Sequence, residues 1–228
     1  MTGPDPEGTP HPPPGTSRLV MGVAWAVLLV GLWLWGNKIT DVHGGLSAPT
    51  TGDVAAVGRP EGVDLPPPRE PLPAARPQRV DVPALGVRAP VVARGLDPAG
   101  AIDPPPYAEP GVVGWYGGGV RPGAKGTSLF VGHVDTESRP AVFYHLSALR
   151  PGEKVRVTRD DGSVAEFTVD DVRVLGRDGF SARTAYGPRE EGRAELRLIT
   201  CGGTFDRTSR TYSANVVVSA YLTGATGP

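Results

Sequence analysis

The chain has 228 residues, enough for one ordinary domain with appendages, and its 23 basic and 24 acidic residues leave a net charge of −1. That balance carries no basic excess and argues against a nucleic-acid partner. A single cysteine, Cys201, excludes an internal disulfide. The 32 glycines and 26 prolines are unevenly spread, and the unevenness divides the chain.

Residues 1–18 hold Pro4, Pro6, Pro10, Pro12, Pro13 and Pro14 and almost nothing apolar, which predicts a disordered tail. Residues 19–36 carry no charge at all. As a helix they would extend roughly 27 Å, enough for a bilayer core of about 30 Å, with Trp33 and Trp35 at one interface. A core helix would show a polar face and a signal peptide a small-x-small cleavage site; this run has neither, so it reads as a retained single-pass anchor. Arg18 and Lys38 flank it evenly. The short tail and the missing cleavable signal therefore set the orientation, with residues 1–18 cytoplasmic and the bulk extracellular at the cell membrane. Residues 37–77, with Pro66-Pro67-Pro68-Arg69-Glu70-Pro71, read as an extended, semi-rigid, disordered linker.

The folded part is expected over residues 78–224. Short β-branched runs predict strands over 79–82, 87–93, 128–132, 155–158, 164–174, 195–200 and 215–222. Asp160-Asp161-Gly162 between two alternating runs predicts a hairpin. One short helix is expected over 141–149. Many short strands in one domain make the fold mainly β, an antiparallel barrel or sandwich.

Cys201 closes the run Leu196-Arg197-Leu198-Ile199-Thr200-Cys201-Gly202-Gly203. A free thiol outside the cytoplasm suits a nucleophile, which needs a base or cation to generate its thiolate and a donor to hold the oxyanion. His11 and His43 fall in the tail and linker, and His145 lies on the expected helix, where a structural role suits it. His133 ends an apolar strand, Leu129-Phe130-Val131-Gly132-His133, which places its ring at a rim. Arg207 and Arg210 lie between the cysteine strand and the last strand. One cysteine and one well-placed histidine do not make a zinc ligand set, so neither a metal nor a cofactor is expected.

Gly132-His133-Val134-Asp135-Thr136, then Leu198-Ile199-Thr200-Cys201-Gly202-Gly203, then an arginine, resemble in that order the motifs of a sortase. Pro83-Ala84-Leu85-Gly86-Val87, Gly114-Trp115-Tyr116 and Ala141-Val142-Phe143-Tyr144-His145-Leu146 extend the resemblance across about 79–222. The Thr-Cys-Gly-Gly form and the anchor look most like the class F, or E/F-type, sortases of high-GC Gram-positive bacteria.

The resemblance implies a closed eight-stranded barrel with one or two short helices. It also implies a cysteine transpeptidase acting on secreted proteins that bear a C-terminal Leu-Pro-x-Thr-Gly-like sorting signal, with a cell-wall amine as acceptor. Cys201 is then the nucleophile, His133 the acid and base, and Arg210 the oxyanion or carbonyl donor, with Arg207 as the alternative. The competing readings are an L,D-type peptidoglycan transpeptidase, which would need a histidine just before the cysteine, and a non-catalytic membrane-tethered β-domain with Cys201 as a small buried residue.

Overall fold

A computed structural model describes residues 64–98, 100–176 and 181–227. The expected tail, the apolar anchor run 19–36 and the linker up to residue 63 lie outside the described residues. No helix among the described residues is long and apolar enough to cross a membrane.

The strands are β1 (Pro77–Val82), β2 (Val87–Arg94), β3 (Val113–Tyr116), β4 (Gly126–Val131), β5 (Lys154–Arg159), β6 (Val164–Gly176), β7 (Ala194–Asp206) and β8 (Thr211–Thr226). They close into a barrel in the order β1-β2-β3-β4-β7-β8-β6-β5. Six neighbouring pairs are antiparallel, while β2–β3 and β4–β7 are parallel, so the barrel is mixed rather than antiparallel as expected. The parallel pairs arise because chain excursions, not hairpins, separate those strands. β3 escaped the sequence reading because it is only four residues long and is held by its neighbours, with Val91 opposite Val113 and Trp115 opposite Phe130.

Alternation explains the core. Val80 and Val82, Phe130, Val155 and Val157, Leu196 and Leu198, and Val216 and Val218 project inward and are almost wholly buried. The expected hairpin forms at Asp160-Asp161-Gly162: Arg159 N–H donates to Ser163 O at 2.9 Å, and Gly162 takes the positive φ of 82° that glycine accepts freely.

Three short helical pieces complete the described fold: 3₁₀ turns at Pro83–Leu85 and Leu146–Ala148, and α1 (Ala182–Tyr186). The helix expected over 141–149 reduces to turns and the second 3₁₀ piece. The cause is where its first donors go. Ala141 N–H bonds Val134 O and Phe143 N–H bonds His133 O, both at 3.0 Å, so the segment is committed to the loop after β4 rather than to its own carbonyls.

β7 is buried on both faces. Ile199 points outward, where it packs with Val217 and with Ala185 of α1. Glu195 and Arg197 share that outer face beneath the chain before β7, fully buried and paired at 2.7 Å.

Candidate active site

The parallel pairing of β4 with β7 brings the two chemical groups together. Val131 lies opposite Ile199, and His133 and Cys201 each stand two residues further along their chains, at the same end of the pair. Side chains two apart in a strand share a face, so Cys201 lies on the outer face of β7 that carries Ile199, and His133, just past the end of β4, reaches the same cleft. His133, Cys201, Arg207, Arg210 and Tyr212 all line one cleft of about 1090 Å³.

The local sequence explains this placement. Gly132 N–H extends the ladder to Ile199 O at 3.1 Å. A Cβ on Gly132 would stand 2.6 Å from the Phe143 ring and 2.7 Å from Val142, so only glycine lets the 141–146 turn pack behind the histidine. Phe143 is fully buried and its N–H holds His133 O, which anchors the histidine backbone to the core. His133 as a residue is 8% exposed. Its Nε2–H donates to the Pro105 carbonyl at 2.6 Å, and the Tyr107 ring stacks on it with centroids 4.2 Å apart and 21° between planes.

Cys201 is exposed and sits inside β7, which continues to Asp206 rather than stopping at residue 200 as expected. Two features carry the strand onward. A bulge falls between Gly202 and Phe205, where Gly203 adopts φ 76° and Ser213 Oγ and Ala214 Cβ occupy the space a side chain would need. Beyond it, Phe205 packs on Tyr212 across the hairpin with ring centroids 5.0 Å apart. A Cβ on Gly202 would meet Val216 Cγ2 at 2.6 Å, so both glycines after the cysteine are required by packing or conformation.

The β7–β8 turn carries the arginines. Asp206 shapes it by accepting from Thr208 N–H and Ser209 Oγ, both at 2.8 Å, and these bonds hold its carboxyl below the usual range. Arg210 is in the left-handed region at φ 53° and its guanidinium pairs with Glu137 of the loop after β4. That pair is largely exposed on both sides and so binds weakly, at about 0–1 kcal/mol. Asn215, not an arginine, stands opposite Cys201 in β8. The structure therefore places Cys201, His133, Arg207 and Arg210 on one cleft, and leaves the arginines at the hairpin tip rather than on the strand beside the thiol. His145 is exposed and lies outside this cleft, edge-on to Tyr144 at 4.8 Å.

Reading the sequence missed several groups. Tyr212 O–H donates to Asp135, two residues past the histidine, and so ties the arginine-bearing hairpin to the histidine loop. Burial first, then the hydrogen bond to Asp135 and its charge, push the Tyr212 phenol well above its ordinary value, which keeps it a neutral donor. Arg139 joins the cleft from the histidine loop. Pro105 and Tyr107 come from the irregular β2–β3 segment, which has no periodicity that could have pointed to them. Among the described residues no group of three or more His, Cys, Asp or Glu side chains is arranged to hold a metal ion.

An exposed thiol, an imidazole and exposed guanidinium groups around one cleft can carry out acyl transfer: attack on a carbonyl, proton donation to a leaving amine, and stabilisation of an oxyanion. Fold and site thus define a β-barrel protein with a cysteine–histidine cleft. A family model for the sortase domain matches residues 80–223. The chain belongs to the sortase family, a family of cysteine transpeptidases.

Solved sortase structures are similar to this chain, and those at a TM-score of 0.50 or above share its fold. The SrtA sortase from Actinomyces oris is 18% identical with a TM-score of 0.51, over 72% of this chain and 89% of that one. Sortase C-3 from Streptococcus pneumoniae is 17% identical with a TM-score of 0.50, over 67% of this chain and 65% of that one. The Streptococcus agalactiae sortase C1 in complex with MTSET is 18% identical with a TM-score of 0.48, over 63% of this chain and 65% of that one. This chain therefore spans about two thirds of the two streptococcal chains. None of the curated proteins compared matches it.

Proposed function

We propose that this chain is a membrane-tethered transpeptidase of the class F, E/F-type, kind that cuts a Leu-Pro-x-Thr-Gly-like sorting signal between Thr and Gly. The observation that carries the reading is the shared position of Cys201 and His133 at one end of the parallel β4–β7 pair, in a cleft overhung by the arginine-bearing hairpin. Cys201 as thiolate attacks the Thr carbonyl, an arginine at the hairpin tip holds the oxyanion, and the C–N bond to Gly breaks as His133 gives its proton to the departing amine. The acyl group then passes from the Cys201 sulfur to a cell-wall amine: the amine nitrogen forms the new C–N bond as His133 removes its proton, and the C–S bond breaks to regenerate the thiolate. Substrates on this reading are secreted proteins bearing the signal. The Thr-Cys-Gly-Gly form supports the class, and the uncharged run 19–36 supports the anchor, with the barrel outside the cell.

The test is Cys201→Ala in the full chain. Wild-type protein is expected to release the Gly-containing fragment of a sorting-signal peptide and to show the thioacyl adduct by intact mass, and the variant to do neither. Cleavage by the variant would remove Cys201 from the chemistry. Because the thiol is unique, an impermeant maleimide on intact cells should label the wild type and not the variant; a protein that reacts only after lysis would refute the extracellular placement.

A further inference from the structure

The run Asp103-Pro104-Pro105-Pro106-Tyr107 between β2 and β3 takes no part in the chemistry above, yet it supplies a hydrogen-bond acceptor and a stacked aromatic ring to the histidine. The run is braced along its length. Asp103 N–H bonds Gly95 O at 3.1 Å, and its carboxylate and carbonyl hold the Arg94 guanidinium. Ile102 is buried, Glu109 N–H closes a turn on Pro106 O at 2.9 Å, and Val142 N–H bonds Pro110 O at 2.7 Å. Three consecutive prolines stiffen what lies between these points. Gly114 of β3 leaves room for the run: a Cβ there would meet Pro105 Cδ at 3.2 Å.

A carbonyl oxygen only accepts, so the 2.6 Å contact with Pro105 O puts a proton on His133 Nε2. In the neutral ring Nδ1 is then the basic nitrogen, because each tautomer protonates one nitrogen only. Tyr107 closes one face of the ring while remaining 69% exposed itself. An aromatic residue that open to water gains little from burial, so its stack on the imidazole is not core packing.

We propose that the β2–β3 segment sets the tautomer and orientation of His133, with Tyr107 as a positioning residue that holds the ring against the Pro105 carbonyl and leaves Nδ1 to exchange protons with the substrate amine. The proposal rests on the transpeptidase reading for its rate consequence, but its structural content can be measured without substrate.

The experiment compares full-chain wild type, Tyr107→Ala and Tyr107→Phe. ¹⁵N NMR of the histidine rings, with His133 assigned by loss of its signals in His133→Gln, should show the Nε2–H tautomer in wild type and Tyr107→Phe, and mixed tautomers in Tyr107→Ala. Cleavage of a sorting-signal peptide should fall about 10- to 100-fold in kcat for Tyr107→Ala with little change in KM, a fraction of what a placed acid–base group supplies, and recover in Tyr107→Phe. A Tyr107→Ala protein with the wild-type tautomer, with higher kcat, or with a loss confined to KM would overturn the proposal. If wild type cleaves no sorting peptide, the function reading fails, and the tautomer comparison still decides the role of Tyr107.

Discussion

Arg210 shows what one residue's geometry adds to its identity. It sits at a hairpin tip with φ 53°, its guanidinium on Glu137, and the strand position opposite the thiol belongs to Asn215. On the proposed mechanism this weak exposed pair is exchanged for a substrate oxyanion, and the Tyr212–Asp135 bond ties the hairpin to the histidine loop. Arg210→Ala is therefore expected to lower kcat by about 10²–10³, the usual loss for an oxyanion donor, with Arg207→Ala changing it much less. Steady-state kinetics on both variants checks this, and the opposite ranking would move the role to Arg207. Cys201 and His133 were legible in the sequence because their flanking glycines and apolar runs are local. The arginine was less so, because a donor at a hairpin tip can be reached from several positions along the chain.

At the scale of elements, β7 does two jobs. Its inner face fills the barrel, and its outer face holds Glu195 and Arg197, then Ile199, then Cys201. Glu195 accepts from the backbone N–H groups of Arg189 and Glu190 and from the guanidinium groups of Arg193 and Arg197. Burial pushes its carboxyl up, and these donors outweigh burial and hold it below the ordinary value. Asp170 nearby goes the other way: burial raises it despite the charges of Arg189, Arg193 and Arg197. Glu195→Gln leaves Arg197 buried without its counter-charge, and is expected to cost about 3–5 kcal/mol in urea unfolding at pH 7. A lowered carboxyl adds stability that is complete above its unfolded value, about 4.3, and is lost as pH falls through the folded value. The gap between wild type and variant should thus be full at neutral pH and shrink in acid. A gap that widened in acid would contradict the assignment. Asp170 works in the opposite sense, its ionisation costing stability as pH rises past the ordinary carboxylate value, and it partly offsets the slope in the wild type.

At the scale of the whole molecule, the barrel is clasped by the chain that leads into it. Residues 64–76, read from their prolines as part of a linker, run extended along the surface. Arg69 N–H bonds Leu222 O at 2.9 Å, Leu72 N–H bonds Gly123 O at 2.7 Å, and Tyr221 O–H bonds Pro66 O at 2.6 Å. The guanidinium of Arg159, 3% exposed, joins the strap to the β5–β6 hairpin through Pro73 O at 2.7 Å and Ser163 Oγ at 2.7 Å. Arg159→Ala orphans those acceptors and should lower stability by about 2–3 kcal/mol in urea unfolding, with the Cys201 reaction rate toward a thiol reagent unchanged. Loss of that reactivity would mean that the strap also shapes the cleft. The sequence by itself determined the β class and the hairpin at Asp160-Asp161-Gly162, and it singled out Cys201 and His133 as the candidate pair that the structure brings to one cleft, because alternation, turn chemistry and short motifs act over a few neighbouring residues. The tertiary structure alone decided the parallel β2–β3 and β4–β7 pairs, the four-residue β3, the strap, and the placement of Pro105 and Tyr107 on the histidine. Each of these depends on which distant segment the closing barrel brings alongside, and no local pattern encodes that.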